Sequence, residues 1–173
     1  MTAIIAGEYK GKKLYKYNDI SVRPTQAKVR KSIFQILEPF DGFDILDLYA
    51  GVGTLGLEAL SRGANKVVFV EKDRQVFKVL KKNSLLFDDK NIILSSNNVS
   101  HFLSKKNNEK FDIIFADPPY QSSDFLNLLN GVQPLLKPNG IFCMEMKKQN
   151  LENIDARIKY YGNTQVIFWK KNV

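Results

Sequence analysis

The chain has 173 residues, 44% of them hydrophobic, with 26 lysines and arginines against 18 acids for a formal charge of +8. That is enough apolar material for one well-buried α/β domain and too little length for two large ones, and no stretch approaches the roughly 18 apolar residues of a membrane span. The positive excess favours an anionic partner such as nucleic acid, and a single cysteine, Cys143, excludes an internal disulfide and a cysteine metal cluster.

The opening Met-Thr-Ala-Ile-Ile-Ala is too short for a signal h-region, so the chain is expected to be soluble and cytoplasmic. Residues 1 to about 22 read as a strand-rich arm. Ile4 to Gly7, a basic turn from Tyr9 to Lys13 punctuated by Gly11, and Leu14 to Tyr17 together predict a β-hairpin. The first forty residues hold eight basic residues against three acids, so +5 of the net charge sits there. Such an arm is either a solvated face or a nucleic-acid contact. Tyr9, Tyr15 and Tyr17 favour contact, because rings stack on bases while Lys10, Lys12 and Lys13 neutralise phosphates. Arg23-Pro24-Thr25 follows, with Thr25 as N-cap of an amphipathic helix over 26–37 whose apolar stripe is Val29, Ile33, Phe34, Ile36 and Leu37. Pro39 and Gly42 end it.

Ile45, Leu46, Leu48 and Tyr49 make the short apolar run of a parallel strand buried on both faces. The chain then turns through Ala50, Gly51 and Gly53. These glycines permit positive φ and close approach to a ligand, while Gly56 lets the helix beginning near Thr54 pack tightly on the sheet. Gly51-x-Gly53-x-x-Gly56 matches the dinucleotide fingerprint, and Glu71 ends the next apolar run, Val67 to Val70, where a ribose-binding acid belongs. Alone, that would suggest NAD. Asp47 opposes it, since a pyrophosphate would meet a negative charge there. A cationic nucleoside such as S-adenosylmethionine suits acids at the carboxyl ends of both strands far better.

Strand and helix then alternate. A helix over about 73–87, a strand over 92–94 and a polar turn Ser95-Ser96-Asn97-Asn98 come next, and Asn98 reads equally as an adenine contact or as a helix cap. His101, within the following helix, is expected at the surface or in packing. The strand Phe111 to Ala116 ends in Asp117-Pro118-Pro119-Tyr120. Two prolines stiffen that turn and remove two donors, so an acid before it and a ring after it form a slot that accepts hydrogen bonds from an amine and stacks a planar base. The slot is expected beside the cofactor crevice, on a strand neighbouring the first. A helix over 124–129, a strand over 141–146 and a two-strand ending, 157–161 and 165–169, complete the chain. Cys143 reads as a buried small hydrophobe.

With Asp117-Pro118-Pro119-Tyr120 in place, the chain resembles amino-directed class I methyltransferases, whose first motif the stretch from Asp47 to Gly56 resembles. The arm, Val22-Arg23-Pro24-Thr25, Val29-Arg30 and Phe34 narrow the likeness to the RsmD family of 16S ribosomal RNA (guanine-N2) methyltransferases, over nearly the whole chain. The resemblance implies a Rossmann-like sheet of seven strands with the last antiparallel, preceded by a basic β-hairpin arm. It divides the chain into an arm over 1–25 and a methyltransferase domain over 26–173. It implies S-adenosylmethionine held by Asp47, Ala50, Gly51, Gly53, Gly56, Glu71 and Asn98, and no metal. Asp117, Pro118, Pro119 and Tyr120 would take the guanine amine, and Lys10, Lys12, Lys13, Arg23, Thr25 and Arg30 the RNA. A monomer acting on ribosomal RNA or the small ribosomal subunit is expected. Where the family often shows Asp-Ala after the third strand, this chain has Asn98-Val99. The alternatives are an adenine-N6 methyltransferase of DNA or RNA, an NAD-linked oxidoreductase and a non-catalytic RNA-binding protein.

Overall fold

The computed structural model describes residues 2–17, 27–87, 91–105, 109–119, 124–152 and 154–172. Two short strands, β1 (Thr2–Ala3) and β2 (Lys13–Leu14), precede helix α1 (Ala27–Leu37). From there β3 (Asp44–Leu48), α2 (Thr54–Ser61), β4 (Lys66–Val70), α3 (Arg74–Ser84), β5 (Ile92–Ser95), α4 (Val99–Ser104), β6 (Phe111–Ala116) and α5 (Phe125–Val132) alternate. The strands β7 (Leu136–Lys147), β8 (Arg157–Tyr161) and β9 (Thr164–Lys170) follow. Each helix returns the chain to the edge from which the next strand starts, and that makes the strands parallel.

The main sheet has seven strands in the order β5-β4-β3-β6-β7-β9-β8. Neighbours from β5 to β7 are parallel, and β9 alone runs the other way, antiparallel to both β7 and β8. This is the Rossmann-like sheet with an antiparallel last strand that the resemblance implies. Strand order reverses between β3 and β6, so their carboxyl ends flank the crevice where open α/β sheets bind ligands.

Alternation along each strand divides two cores. Ile45, Val67, Phe69, Ile113, Phe115, Cys143 and Val166 face Val29, Ile33 and Phe34 of α1 and Leu57 of α2. Leu46, Leu48, Val68, Val70, Ile114, Phe142 and Met144 face Phe125, Leu129 and Val132 of α5. A strand buried on both faces must be apolar at nearly every position, as β4 is from Val67 on; β3 keeps Ile45, Leu46 and Leu48 and admits acids at Asp44 and Asp47. Helix α2 presses closest to the sheet: a Cβ on Gly56 would lie 2.3 Å from Phe69 Cε1 and 2.8 Å from Val67 Cγ1. Strand β7 begins earlier than its apolar run predicts. Pairing jumps from Phe111↔Leu136 to Ile113↔Ile141, because Pro138 brings no N–H and Asn139 sits at φ 63°, which bulges the turn out of the ladder.

The arm is docked. Ile4 and Leu14 join the core on the α2 side of the sheet. Glu58, 0% exposed, accepts from the Ile5 amide at 2.7 Å and the Ala6 amide at 3.0 Å, and Arg62 Nε donates to it at 2.9 Å. Ser61 extends the seam, its carbonyl accepting from Glu8 N at 2.7 Å and its hydroxyl accepting from Tyr9 N and donating to Ala6 O. A Cβ on Gly7 would lie 1.7 Å from Ser61 O, so only glycine fits. Asn83 exchanges two bonds with Tyr15 and donates to Val52 O at 2.9 Å, linking β2 through α3 to the glycine turn. Residues 2–17 therefore share one core with the sheet.

Removing Glu58 would strand two arm amides and a guanidinium. Glu58→Ala should cost about 3–5 kcal/mol, the range for breaking a buried charged cluster. Urea unfolding measures it, and a loss below about 1 kcal/mol would show that apolar contacts alone hold the arm.

Candidate functional site

Past β3 the backbone enters the left-handed region three times, at Tyr49 (φ 57°), Gly51 (57°) and Gly53 (90°). Glycine adopts it freely, whereas at Tyr49 it stores on the order of 1–3 kcal/mol. Ala50 N donates to Val70 O at 3.0 Å and Gly53 N to Ala50 O at 2.8 Å, so the turn is tied to β4 and to itself. The glycines do different work. A Cβ on Gly53 would meet Leu80 Cδ1 at 2.6 Å and one on Gly56 would meet Phe69, but one on Gly51 would meet nothing within 4 Å among the described residues. Gly51 is the member that leaves its outer face open.

Asp47 is 2% exposed and accepts from the Gly56 amide at 2.9 Å, binding the strand end to the first turn of α2. Burial pushes its carboxyl well above the usual carboxylate range; the Gly56 bond opposes the shift, and the charges of Asp117 and Glu71 add to it. Glu71 accepts from Gly51 N at 2.9 Å with one oxygen and from Asp73 N at 2.8 Å with the other. Leu48 pairs with Ala116, so Asp117 leaves β6 beside the end of β3, as the slot reading expects. Asp117 is half-buried, Pro118 buried and Pro119 exposed.

Strand alternation puts Asp47, Glu71 and Asp117 on the α2 side of the sheet, in line with Ile45, Phe69 and Phe115. A fourth acid joins them. Phe115 pairs with Cys143 and Ala116 with Met144, so Glu145, 8% exposed, stands beside Asp117 on that side. Burial pushes the Cys143 thiol up, and the charges of Glu145 and Asp117 push it further, which places both acids close to it. Sequence reading missed Glu145 inside the apolar run from Ile141 to Met146. The available signal was an acid interrupting a buried strand near its carboxyl end.

Of the two roles open to Asn98, the helix cap is present: its Oδ1 accepts from Ser100 N at 2.9 Å. His101 is exposed on α4. Lys10 and Lys13 are exposed, but Lys12 donates to Leu86 O and lies over the rings of Tyr9 at 4.5 Å and Phe87 at 5.5 Å, which makes it a fastener of the arm. The turn carrying Lys10 and Lys12 docks at Ser61, the end of α2 remote from the glycine turn, about 12 Å along an eight-residue helix. Arg30 requires a correction. It is 3% exposed and donates to Ala3 O at 2.7 Å, so it ties α1 to β1 and does not present itself to RNA. Burial lowers its pKa, with Glu58 opposing and Arg62 adding. Positions 30, 33, 34 and 37 share one helical stripe, a spacing that already places Arg30 on the inner side. Arg23, Thr25 and Tyr120 lie outside the described residues.

The family model described as conserved hypothetical protein 95 matches residues 2–170. Ribosomal RNA small subunit methyltransferase D of Buchnera aphidicola is 35% identical over 152 residues, 86% of this chain and 80% of that protein. The protein of the same name from Escherichia coli is 37% identical over 138 residues, 79% of this chain and 67% of that one. The solved structure of yhhF from Escherichia coli has a TM-score of 0.89 at 29% identity and covers 99% of this chain and 98% of its own.

The raised carboxyl of Asp47 has a consequence for stability. The folded protein keeps a proton there that the unfolded chain releases, so this contribution is complete below about pH 4 and is lost as pH rises through the raised value. Asp47→Asn keeps an acceptor for the Gly56 amide and removes the titration. Its stability relative to the parent should therefore increase as pH rises above about 4, by urea midpoints across the range. A difference that does not change with pH would show that Asp47 ionises in the folded state as it does in the unfolded one.

Proposed function

The chain belongs to the RsmD family, and from that membership we propose that it transfers the methyl group of S-adenosylmethionine to the exocyclic N2 amine of a guanine in 16S ribosomal RNA. The observation that carries this reading is the convergence of Asp47, Glu71 and Asp117 beside a glycine turn whose first member has an open face. A pyrophosphate would be repelled by the charges of Glu71 and Asp117, while a sulfonium and an amino group are drawn to them and to a carboxyl, Asp47, that a cation can make release its proton. Glu71 retains acceptor capacity after its two amide bonds and suits ribose hydroxyls. Gly51 admits the cofactor's close approach, and Asn98 lies beyond β5 where an adenine edge would fall.

The cofactor supplies an electrophilic methyl group. The chain's own residues must manage a poor nucleophile, since the guanine amine shares its lone pair with the ring. Asp117 and the Pro118 carbonyl accept the two amine hydrogens and turn the nitrogen towards the cofactor. Pro118 and Pro119 keep that edge stiff, and Tyr120 stacks on the base, which must be swung out of its helix to enter. Reacting atoms need a separation of about 3–3.5 Å, which such clamping secures. The nitrogen gains a carbon and loses a proton, and in this reading Asp117 takes that proton. Lys10 and Lys13 contact RNA phosphates away from the slot, and Arg23 and Thr25 are further RNA-binding candidates. Acting on ribosomal RNA, the protein works as a cytoplasmic monomer. Among the described residues no helix is long and apolar enough to cross a membrane.

The decisive test is to map methylated nucleotides in 16S ribosomal RNA from cells with and without the protein; a missing mark on adenine, or no missing mark, would overturn the reading. In purified form, Glu71→Ala should weaken cofactor binding in calorimetric titration. Asp117→Ala should leave that binding nearly intact and cut turnover about 10²–10⁴-fold. The arm is tested separately. Replacing Lys10 and Lys13 with alanine should flatten the salt dependence of RNA affinity by about 1.4–1.8 units in the log–log slope, while an unchanged slope would make the arm a solvated face.

A further inference from the structure

We propose that Glu145 accepts the ring N1–H of the target guanine, and that this contact makes the site select guanine over purines that carry the same amine without that hydrogen. The proposal rests on the methyl-transfer reading above and names what that reading leaves open, the basis of base choice.

Placement comes first. Strands β6 and β7 are hydrogen-bonded neighbours with Phe115 opposite Cys143 and Ala116 opposite Met144. The next positions, Asp117 just past the end of β6 and Glu145 still within β7, therefore stand side by side, at the roughly 4.7–4.9 Å spacing of adjacent strands. Both are on the α2 side, following Phe115 and Cys143. The slot thus has two adjacent carboxylates.

Chemistry then selects the base. The Watson–Crick edge of guanine offers two neighbouring donors, the N2 amine and N1–H, where adenine offers one amine and a bare ring nitrogen. An ionised carboxylate only accepts hydrogen bonds, so a base edge meeting the pair must bring two donors. With the amine on Asp117 and Pro118, Glu145 on β7 is the adjacent carboxylate that the neighbouring N1–H would meet. Adenine in the same pose would set a ring lone pair against a carboxylate. Such a mismatch in a desolvated site is what produces large discrimination in enzymes built to hydrogen-bond their substrate.

Position within β7 supports a ligand role over a packing one. Phe142, Cys143, Met144 and Met146 are all buried, and Glu145 is 8% exposed among them, near the carboxyl end of a strand at the crevice. An acid in such a run is costly to the sheet, and sites where acids are held at cost are where enzymes place recognition groups.

The test uses small-subunit particles reconstituted with ribosomal RNA in which the mapped acceptor guanosine is either retained or replaced by 2-aminopurine riboside. That base keeps the amine but carries an unprotonated N1. The parent protein should methylate guanine at least about 100-fold faster than 2-aminopurine. In Glu145→Gln, whose amide donates as well as accepts, the guanine rate should fall about 10–100-fold while the 2-aminopurine rate holds or rises, so the ratio collapses. Glu145→Asp should lose rate but keep the preference. If Glu145→Gln slows both bases equally, Glu145 is a structural residue and the proposal fails. Equal rates on the two bases by the parent would overturn it without any variant, including the case in which Glu145→Gln does not fold. No methylation of guanine by the parent would instead remove the methyl-transfer reading itself.

Discussion

The bond from the Gly56 amide to Asp47 joins the end of β3 to the first turn of α2 across nine residues, and the crevice takes its shape from that joint. Ala50, Gly51 and Gly53 lie between its two ends, and Tyr49 is held in a backbone region a tyrosine would otherwise leave. One amide is a modest partner for a carboxyl 2% exposed, which is why burial dominates its titration. Its proton and a cationic ligand compete for the same stabilisation. Binding of a cation would draw the proton out, coupling ligand charge to the state of the acid.

The two edges of the sheet treat acids differently. At the amino edge, Lys137 Nζ sits 2.9 Å from Asp44 and 2.7 Å from Asp112, and Asn65 donates to Asp44 at 2.8 Å. Burial raises the Asp44 carboxyl, but the bonds from Asn65 and Lys137 outweigh it and hold it low. Those charges are spent on holding β3, β6 and β7 together. At the carboxyl edge, Asp47 and Glu71 are positioned by backbone amides. An amide fixes a carboxylate without cancelling its charge, so the field of Glu71 remains for a ligand to meet, while Asp47 holds a proton that a cation can displace. Sheet stability and ligand affinity are thereby drawn from opposite ends of the same strands.

What could be read from sequence was what depends on neighbours along the chain. The apolar runs marked β3, β4 and β6, the glycine spacing anticipated both the open turn and the tight contact of Gly56 with Phe69, and acids at strand ends pointed to the crevice. Three features depended on contacts between distant residues. Tyr49 carries no mark of a left-handed backbone, because nothing in a tyrosine favours one. Glu145 enters the site only because β7 lies next to β6, a fact of strand order. Arg30 belonged to the basic count of the arm, yet its side chain is folded under that arm. In that last case helical spacing and charge pointed in opposite directions, and packing decided between them.

The partners of the arm lie far along the chain. Ile5 and Ala6 bond Glu58 across 53 and 52 residues, and Tyr15 bonds Asn83 across 68. At a synthesis rate of about 5–20 residues per second, the Ile5, Ala6 and Tyr15 amides are made roughly 3–14 s before the groups that satisfy them. The strand β1 needs no such wait, because its partners in β2 lie about ten residues on, so the hairpin can close while its seam to α2 and α3 is still open. Lys10, Lys12 and Lys13, whatever they contact in the mature protein, follow β1 as repelling charges. The basic turn therefore gives the waiting hairpin a repulsion between copies until α2 and α3 are made.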